Sequence, residues 1–238
     1  MLKTITNFIS QRGIKYTLKT IIQYINMNKS INLFFNKWDK KTFSQYWEDL
    51  FIYRKLLWKK DWFYIDIGAN HPTKLSNTRK FYDLWWSWVN IEPNPNLIKN
   101  FENERNRDIN LNIWISNKNA ELDFYVCSDD TLSTFSKDIA IELEKNWHKI
   151  LTKKIEVKKL SDVLKENNIN EIDFLSLDTE WYNTEVLKSN DWKKYRPKII
   201  CIEDDKRYWD MYDDFFYEIW YKKIGFNVTN IIFIDNAK

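Results

Sequence analysis

Short apolar runs alternate with amphipathic segments along most of this chain, and several of the runs close on an acidic residue. From Ser44 through Leu57, Leu50, Ile52, Tyr53, Leu56 and Leu57 stand against Glu48, Asp49, Arg54 and Lys55, which predicts a helix. A strand follows at Phe63 to Ile67, then a helix over Ser76 to Leu84 and a strand over Val89 to Glu92. Pro95 to Arg105 reads as a helix with proline near its start, and Leu111 to Ser116 as the third strand. Strands at Leu122 to Val126 and Ile155 to Val157 flank a helix at Lys137 to His148, and Leu160 to Asn167 is a helix capped by Ser161 or Asp162. Ile172 to Asp178, a helix from Asn183 to Leu187, and Pro197 to Glu203 continue the alternation. Phe226 to Val228 and Ile231 to Ile234 have the form of a closing antiparallel hairpin. Strand and helix in turn imply an α/β fold, doubly wound on a mostly parallel sheet.

Composition narrows the class. In 238 residues, 44% apolar and 17% aromatic content is ample for one buried core, and the net charge of +3 gives no reason to expect nucleic acid. Cys127 and Cys201 form no paired motif, which fits a reducing, cytoplasmic setting rather than a disulfide or zinc framework. No run of apolar residues is long enough to span a membrane, and no cleavable leader is evident. Residues 1–37 carry Lys3, Arg12, Lys15, Lys19, Lys29 and Lys37 without an acid, interleaved with Ile5, Phe8, Ile9, Ile14, Leu18, Ile21, Ile22 and Ile25. This basic amphipathic pattern suits either a helical extension packed on its own domain or weak peripheral contact with an anionic membrane. We therefore divide the chain into an extension, 1–42, and one catalytic domain, 43–238.

Candidate chemistry lies at the strand ends. The first strand runs through Asp66 into a turn with Gly68, Asn70, His71 and Pro72, and the second closes on Glu92, 26 residues after Asp66 (92 − 66). A carboxylate at that place can accept both hydroxyls of a ribose. The turn holds one glycine, not the three that cradle a pyrophosphate, so a dinucleotide site is disfavoured. The arrangement Asp66, Gly68, Asn70 resembles the first motif of class I S-adenosylmethionine (SAM) methyltransferases.

Taken together the motifs resemble the FkbM family of SAM-dependent methyltransferases. They are Ser44-Gln45 with Glu48-Asp49, the turn Asp66 to Pro72, Ser76-Asn77-Thr78, Ile91 to Asn94, Ser133-Thr134-Phe135, Leu175 to Asp178 with Glu180, and Arg196-Pro197 leading into Ile202-Glu203. The resemblance implies a Rossmann-like fold and methyl transfer from SAM, usually to a hydroxyl of a sugar, glycan or small metabolite. It implies Asp66, Gly68 and Asn70 around the methionine part of SAM and Glu92 on its ribose. Asp108, before the third strand, is the candidate reader of the adenine edge.

Asp178 and Glu203 end the last two parallel strands, with Asp204 beside the latter. One of them can serve as general base for an acceptor hydroxyl. Alternatively Asp178, Glu203 and Asp204 supply oxygen ligands to a divalent metal such as Mg²⁺ that lowers the hydroxyl pKa. His71 is a further base candidate, or a turn residue held by a loop hydrogen bond. The competing functions are a non-catalytic nucleotide-binding protein that keeps the fold and a nucleic-acid methyltransferase. The latter typically carries an Asn-Pro-Pro-Tyr clamp, where this chain has Asp178, Thr179, Glu180 and Trp181.

One departure is systematic. The chain has 3 glycines and 13 tryptophans, where average usage predicts roughly 17 glycines. Trp47, Trp62, Trp85, Trp88, Trp114 and Trp181 fall where turns and the family pattern call for glycine, whereas Trp86 and Trp192 read as true tryptophans. The chain is also rich in Lys, Asn and Ile, as an AT-biased genome produces. A source that reads UGA as glycine, translated here as tryptophan, explains the pattern; a protein rich in aromatic platforms is the other reading.

Overall fold

The computed structural model describes residues 41–56, 62–179, 182–204 and 210–237, with Leu18, Ile22 and Ile25. Seven strands form the main sheet in the order β3-β2-β1-β7-β8-β10-β9: Ile109–Leu111, Ser87–Ile91, Phe63–Ile67, Phe174–Leu177, Ile199–Glu203, Asn230–Asp235 and Tyr221–Phe226. β3 to β8 are parallel neighbours, while β10 runs antiparallel to both β8 and β9. The order reverses direction between β1 and β7, which is where such sheets bind ligands.

The side-chain period of two divides the strands between two cores. Ile65 and Ile67 of β1 and Leu175 and Leu177 of β7 face one cluster with Leu160, Val163, Leu164 and Val186. Tyr64 and Phe174 face the other, with Leu50, Ile52, Phe81, Trp86 and Trp88. Asp66 and Ser176 fall next on this second face, in register with each other. They bring polar chemistry to the carboxyl ends of an otherwise apolar surface.

Helices α1 (Glu48–Leu56), α2 (Arg79–Asp83), α3 (Pro95–Glu104), α4 (Lys137–Lys145), α5 (Leu160–Glu166), α6 (Asn183–Lys188) and α7 (Asp213–Glu218) connect the strands. Proline opens α3, and Asn94 caps it by accepting from the Asn96 N–H at 3.0 Å. The cap expected of Ser161 or Asp162 is corrected. Lys159 holds the N-cap position of α5 without a side-chain bond, and the orphan Leu160 N–H donates to Ser189 Oγ at 3.1 Å.

The run read as one strand, Leu111 to Ser116, is broken in two. β3 ends at Leu111, and β4 (Ile113–Ile115) belongs to a second sheet, β4-β6-β5, with β5 at Ala120–Cys127 and β6 at Ile150–Lys158. Asn112 marks the break, its Nδ2 donating to the carbonyls of Glu92 (2.9 Å) and Pro93 (2.8 Å). The small sheet has its own core of Trp114, Phe124, Val126, Ile155 and Val157.

Both cysteines are buried and free. Among the described residues no helix is long and apolar enough to cross a membrane. Of the extension, Leu18, Ile22, Ile25, Lys41 and Thr42 are described; the first three are helical and 53%, 55% and 54% exposed. The other positions of the expected basic extension, and Trp181, lie outside the described residues.

Candidate active site

Gly68 is the geometric centre of the site. Its φ is +75°, and a Cβ built on it would stand 1.8 Å from the Asp178 carbonyl oxygen, so only glycine fits. β1 thus runs directly against the start of the Asp178 loop, and the Asp178 N–H donates to the Ile67 carbonyl at 3.0 Å.

Two clefts meet at this point. The first, ≈ 370 Å³, is lined by Gly68, Asn70, Glu92, Asn94 and Asp178, with Trp114, Phe124, Phe135 and Tyr182 along its aromatic side. The second, ≈ 280 Å³, is lined by Gln45, Asp66, Gly68, Asn70, His71, Asn77, Ser176, Asp178 and Glu203. Gly68, Asn70 and Asp178 line both.

Glu92 is fixed by backbone donors. Oε2 accepts from the Asn70 N–H and Oε1 from the Asn94 N–H, each at 2.9 Å. Burial pushes its carboxyl up to about 7 against those two bonds. Asn94 extends the arrangement, its Nδ2 donating to Asp130 Oδ1 at 3.1 Å and Ser133 Oγ at 3.3 Å. The Glu92 to Asn94 and Ser133 to Phe135 motifs are therefore one wall.

Asp66 is buried and accepts a hydrogen bond from Thr78 Oγ1; burial raises its carboxyl, opposed by Arg105 and Thr78. Arg105 was not foreseen. It caps the C-terminus of α3, where a basic residue ordinarily meets the last carbonyls or solvent. Instead its guanidinium is 0% exposed and donates to Pro72 O, Ser76 Oγ, Thr78 Oγ1, Asn90 Oδ1 and Tyr64 Oη. It ties the turn after β1 to β1 and β2 from beneath. Ser76 and Thr78 belong to this network, and Ser76 Oγ also accepts from the Thr78 and Arg79 N–H groups at the start of α2.

The remaining candidates separate clearly. His71 lines the second cleft with Nδ1 turned back to accept the Thr73 and Lys74 N–H groups at 3.0 and 3.1 Å. Burial, with Lys74, lowers its pKa, and its Nδ1 is engaged by the turn. Asp108 lines neither cleft: its Oδ2 accepts from Asn90 Nδ2 at 2.8 Å, behind β2 and β3. The adenine-edge assignment is withdrawn on that geometry. Asp178 and Glu203 share the second cleft, whereas Asp204 is 1% exposed and absent from its lining. Among the described residues no group of three His, Cys, Asp or Glu side chains is placed to hold a metal ion, so the expected three-carboxylate set is not assembled.

Motifs far from the rim support it. Glu48 Oε1 accepts from Asn227 Nδ2 (2.6 Å) and Asn230 Nδ2 (2.8 Å), fastening α1 to the β9–β10 connection. Asp49 accepts from Thr42, Ser44 and the Phe43 and Leu50 amides, closing the loop that carries Gln45 into the cleft. Asn183 accepts from Thr179 at both N–H and Oγ1 and donates to the Glu203 carbonyl at 2.9 Å, joining the ends of β7 and β8.

A mostly parallel sheet with an acidic β2 end and a single-glycine turn at its switch point is consistent with a Rossmann-like methyltransferase fold. The family model for the methyltransferase FkbM domain matches residues 66–226. The chain belongs to the FkbM methyltransferase family. No curated protein and no solved structure matches it.

Proposed function

We propose that the protein transfers the methyl group of SAM to a hydroxyl of a sugar or other small metabolite. The observation that carries this reading is Glu92, held by two backbone amides at the end of β2 beside the Gly68 turn. The residues present fit SAM: a carboxylate with lone pairs left for vicinal hydroxyls, a backbone approach that no Cβ obstructs, and a cleft walled by Phe124, Phe135 and Tyr182 that suits a planar base. When bound, SAM supplies an electrophilic methyl on a sulfonium.

The protein's task is to orient the acceptor and take its proton. Asp178 and Glu203, which both line the second cleft, are the candidate bases: one of these carboxylates would take the proton of the acceptor hydroxyl as that hydroxyl is methylated. Asn77 Nδ2, 3.4 Å from Ser176 Oγ in the same cleft, supplies a donor for a neighbouring acceptor oxygen.

Calorimetry with S-adenosylhomocysteine and a methyl-release assay test the two halves separately. Glu92→Ala is expected to weaken binding by about 1.5 to 3 kcal/mol. Asp178→Asn or Glu203→Gln is expected to bind S-adenosylhomocysteine normally and, where the residue is the base, to lose about 10²- to 10⁴-fold in kcat. Unchanged affinity in Glu92→Ala removes the ribose assignment, and unchanged kcat in both carboxylate variants removes the base.

A further inference from the structure

Seven non-glycine residues adopt positive φ among those described, and four of them are tryptophans: Trp47 (φ 68°), Trp85 (65°), Trp147 (68°) and Trp220 (66°). The others are Asn70, Leu75 and Asn168. Left-handed backbone favours glycine first and asparagine second, because a Cβ crowds the carbonyl oxygen; an indole brings no hydrogen bond that compensates.

Three of the four occupy one structural position. Trp85, Trp147 and Trp220 each follow the C-cap residue of a helix, at Leu84, Asn146 and Ile219. The Trp85 N–H donates to Tyr82 O and the Trp86 N–H to Phe81 O; the Trp147 N–H donates to Glu144 O and the His148 N–H to Leu143 O. These paired bonds define the Schellman helix end, whose left-handed residue is ordinarily glycine. The end of α5 is built the same way with Asn168, whose N–H donates to Lys165 O while that of Ile169 donates to Leu164 O. The Trp220 N–H donates to Tyr217 O.

Nothing in the packing asks for indoles there. Trp85, Trp147 and Trp220 are 80%, 95% and 69% exposed, although the Arg107 guanidinium lies over Trp85 at 4.1 Å. A second, independent sign lies inside the protein: the buried Trp88 and Trp114 Nε1–H groups have no hydrogen-bond partner among the described residues. Trp192, by contrast, donates Nε1–H to Leu187 O at 2.8 Å and meets Phe215, Phe216 and Tyr221 edge to face. Trp62, suspected from sequence, is 2% exposed and stacked on Trp86 with centroids 5.3 Å apart, so it carries no such sign.

We propose that the polypeptide made in its source carries glycine at positions 47, 85, 147 and 220, the source reading UGA as glycine. One reassignment accounts for the glycine deficit, the tryptophan excess and the placement of indoles on left-handed backbone. The same substitution at 114 opens the first cleft, which the Trp114 side chain now lines.

The test reads folding and peptide mass, so it stands apart from methyl transfer. At each of the four positions Trp→Gly and Trp→Ala variants are compared by thermal denaturation, with Trp192→Gly as control. The expected order is glycine above alanine at all four, with Tm at or above that of the starting chain at the three exposed helix ends, and a lowered Tm for Trp192→Gly. Mass-spectrometric sequencing of the protein isolated from its source is expected to read glycine at the four positions. Tryptophan in those peptides overturns the proposal, as does a lower Tm for glycine than for alanine throughout.

Discussion

At the scale of single residues, the chemistry of the site turns on carboxyls taken out of water. Glu92 titrates near 4.5 when unfolded and about 7 when folded, because burial outweighs its two amide donors. The native state therefore holds this proton more tightly than the unfolded chain does. Stability of the ligand-free protein is fullest below the unfolded pKa and is lost as pH rises to 7, by roughly 3 kcal/mol from this group. Binding runs the other way, since hydroxyl donors favour the ionised form. Affinity for S-adenosylhomocysteine is expected to rise by up to about tenfold per pH unit below 7 and to level above it. Asp108, also pushed up to about 7 by burial, titrates in the same window without facing a cleft. Glu92→Gln should consequently flatten the pH dependence of binding while leaving part of the stability slope, and calorimetry beside denaturation at several pH values checks both.

At the scale of elements, the decisive event is the break at Asn112. Two side-chain bonds to the Glu92 and Pro93 carbonyls end the main sheet and turn the chain into the smaller one. Asn112→Ala is expected to cost about 1 to 3 kcal/mol in chemical denaturation and to weaken S-adenosylhomocysteine binding through Glu92; an unchanged denaturation midpoint would remove this role. No periodicity could have placed that break, because Leu111 to Ile115 is apolar on both sides of Asn112. The strands bearing Asp66, Glu92, Asp178 and Glu203 were legible for the opposite reason: buried parallel strands are short apolar runs, and their acidic ends stand out. Arg105 and Asp108 show where reading stops. A basic helix end and an acid before a strand look solvated in sequence, and only the fold places the first under the turn and the second behind the sheet. The Schellman ends at Trp147 and Trp220 were missed: the helix read over Lys137 to His148 ran through Trp147, where the structure ends it at Lys145, and no helix was read before Trp220.

At the scale of the whole molecule, the Arg105 network makes the turn after β1 a different kind of segment from the loop it resembles. Pro72 to Thr78 spans a helical start and a cleft wall, yet its carbonyl and hydroxyls are fastened to a cation lying between β1 and β2. Opening that turn means abandoning several charge-assisted bonds to a guanidinium with no water in reach. In hydrogen–deuterium exchange, the amides of Thr78 and Arg79, which donate to Ser76 Oγ, should exchange on the slow timescale of the strands rather than that of surface turns. Arg105→Ala should release them to fast exchange. The ligand then meets a wall already standing, and little conformational entropy remains to be surrendered when it arrives.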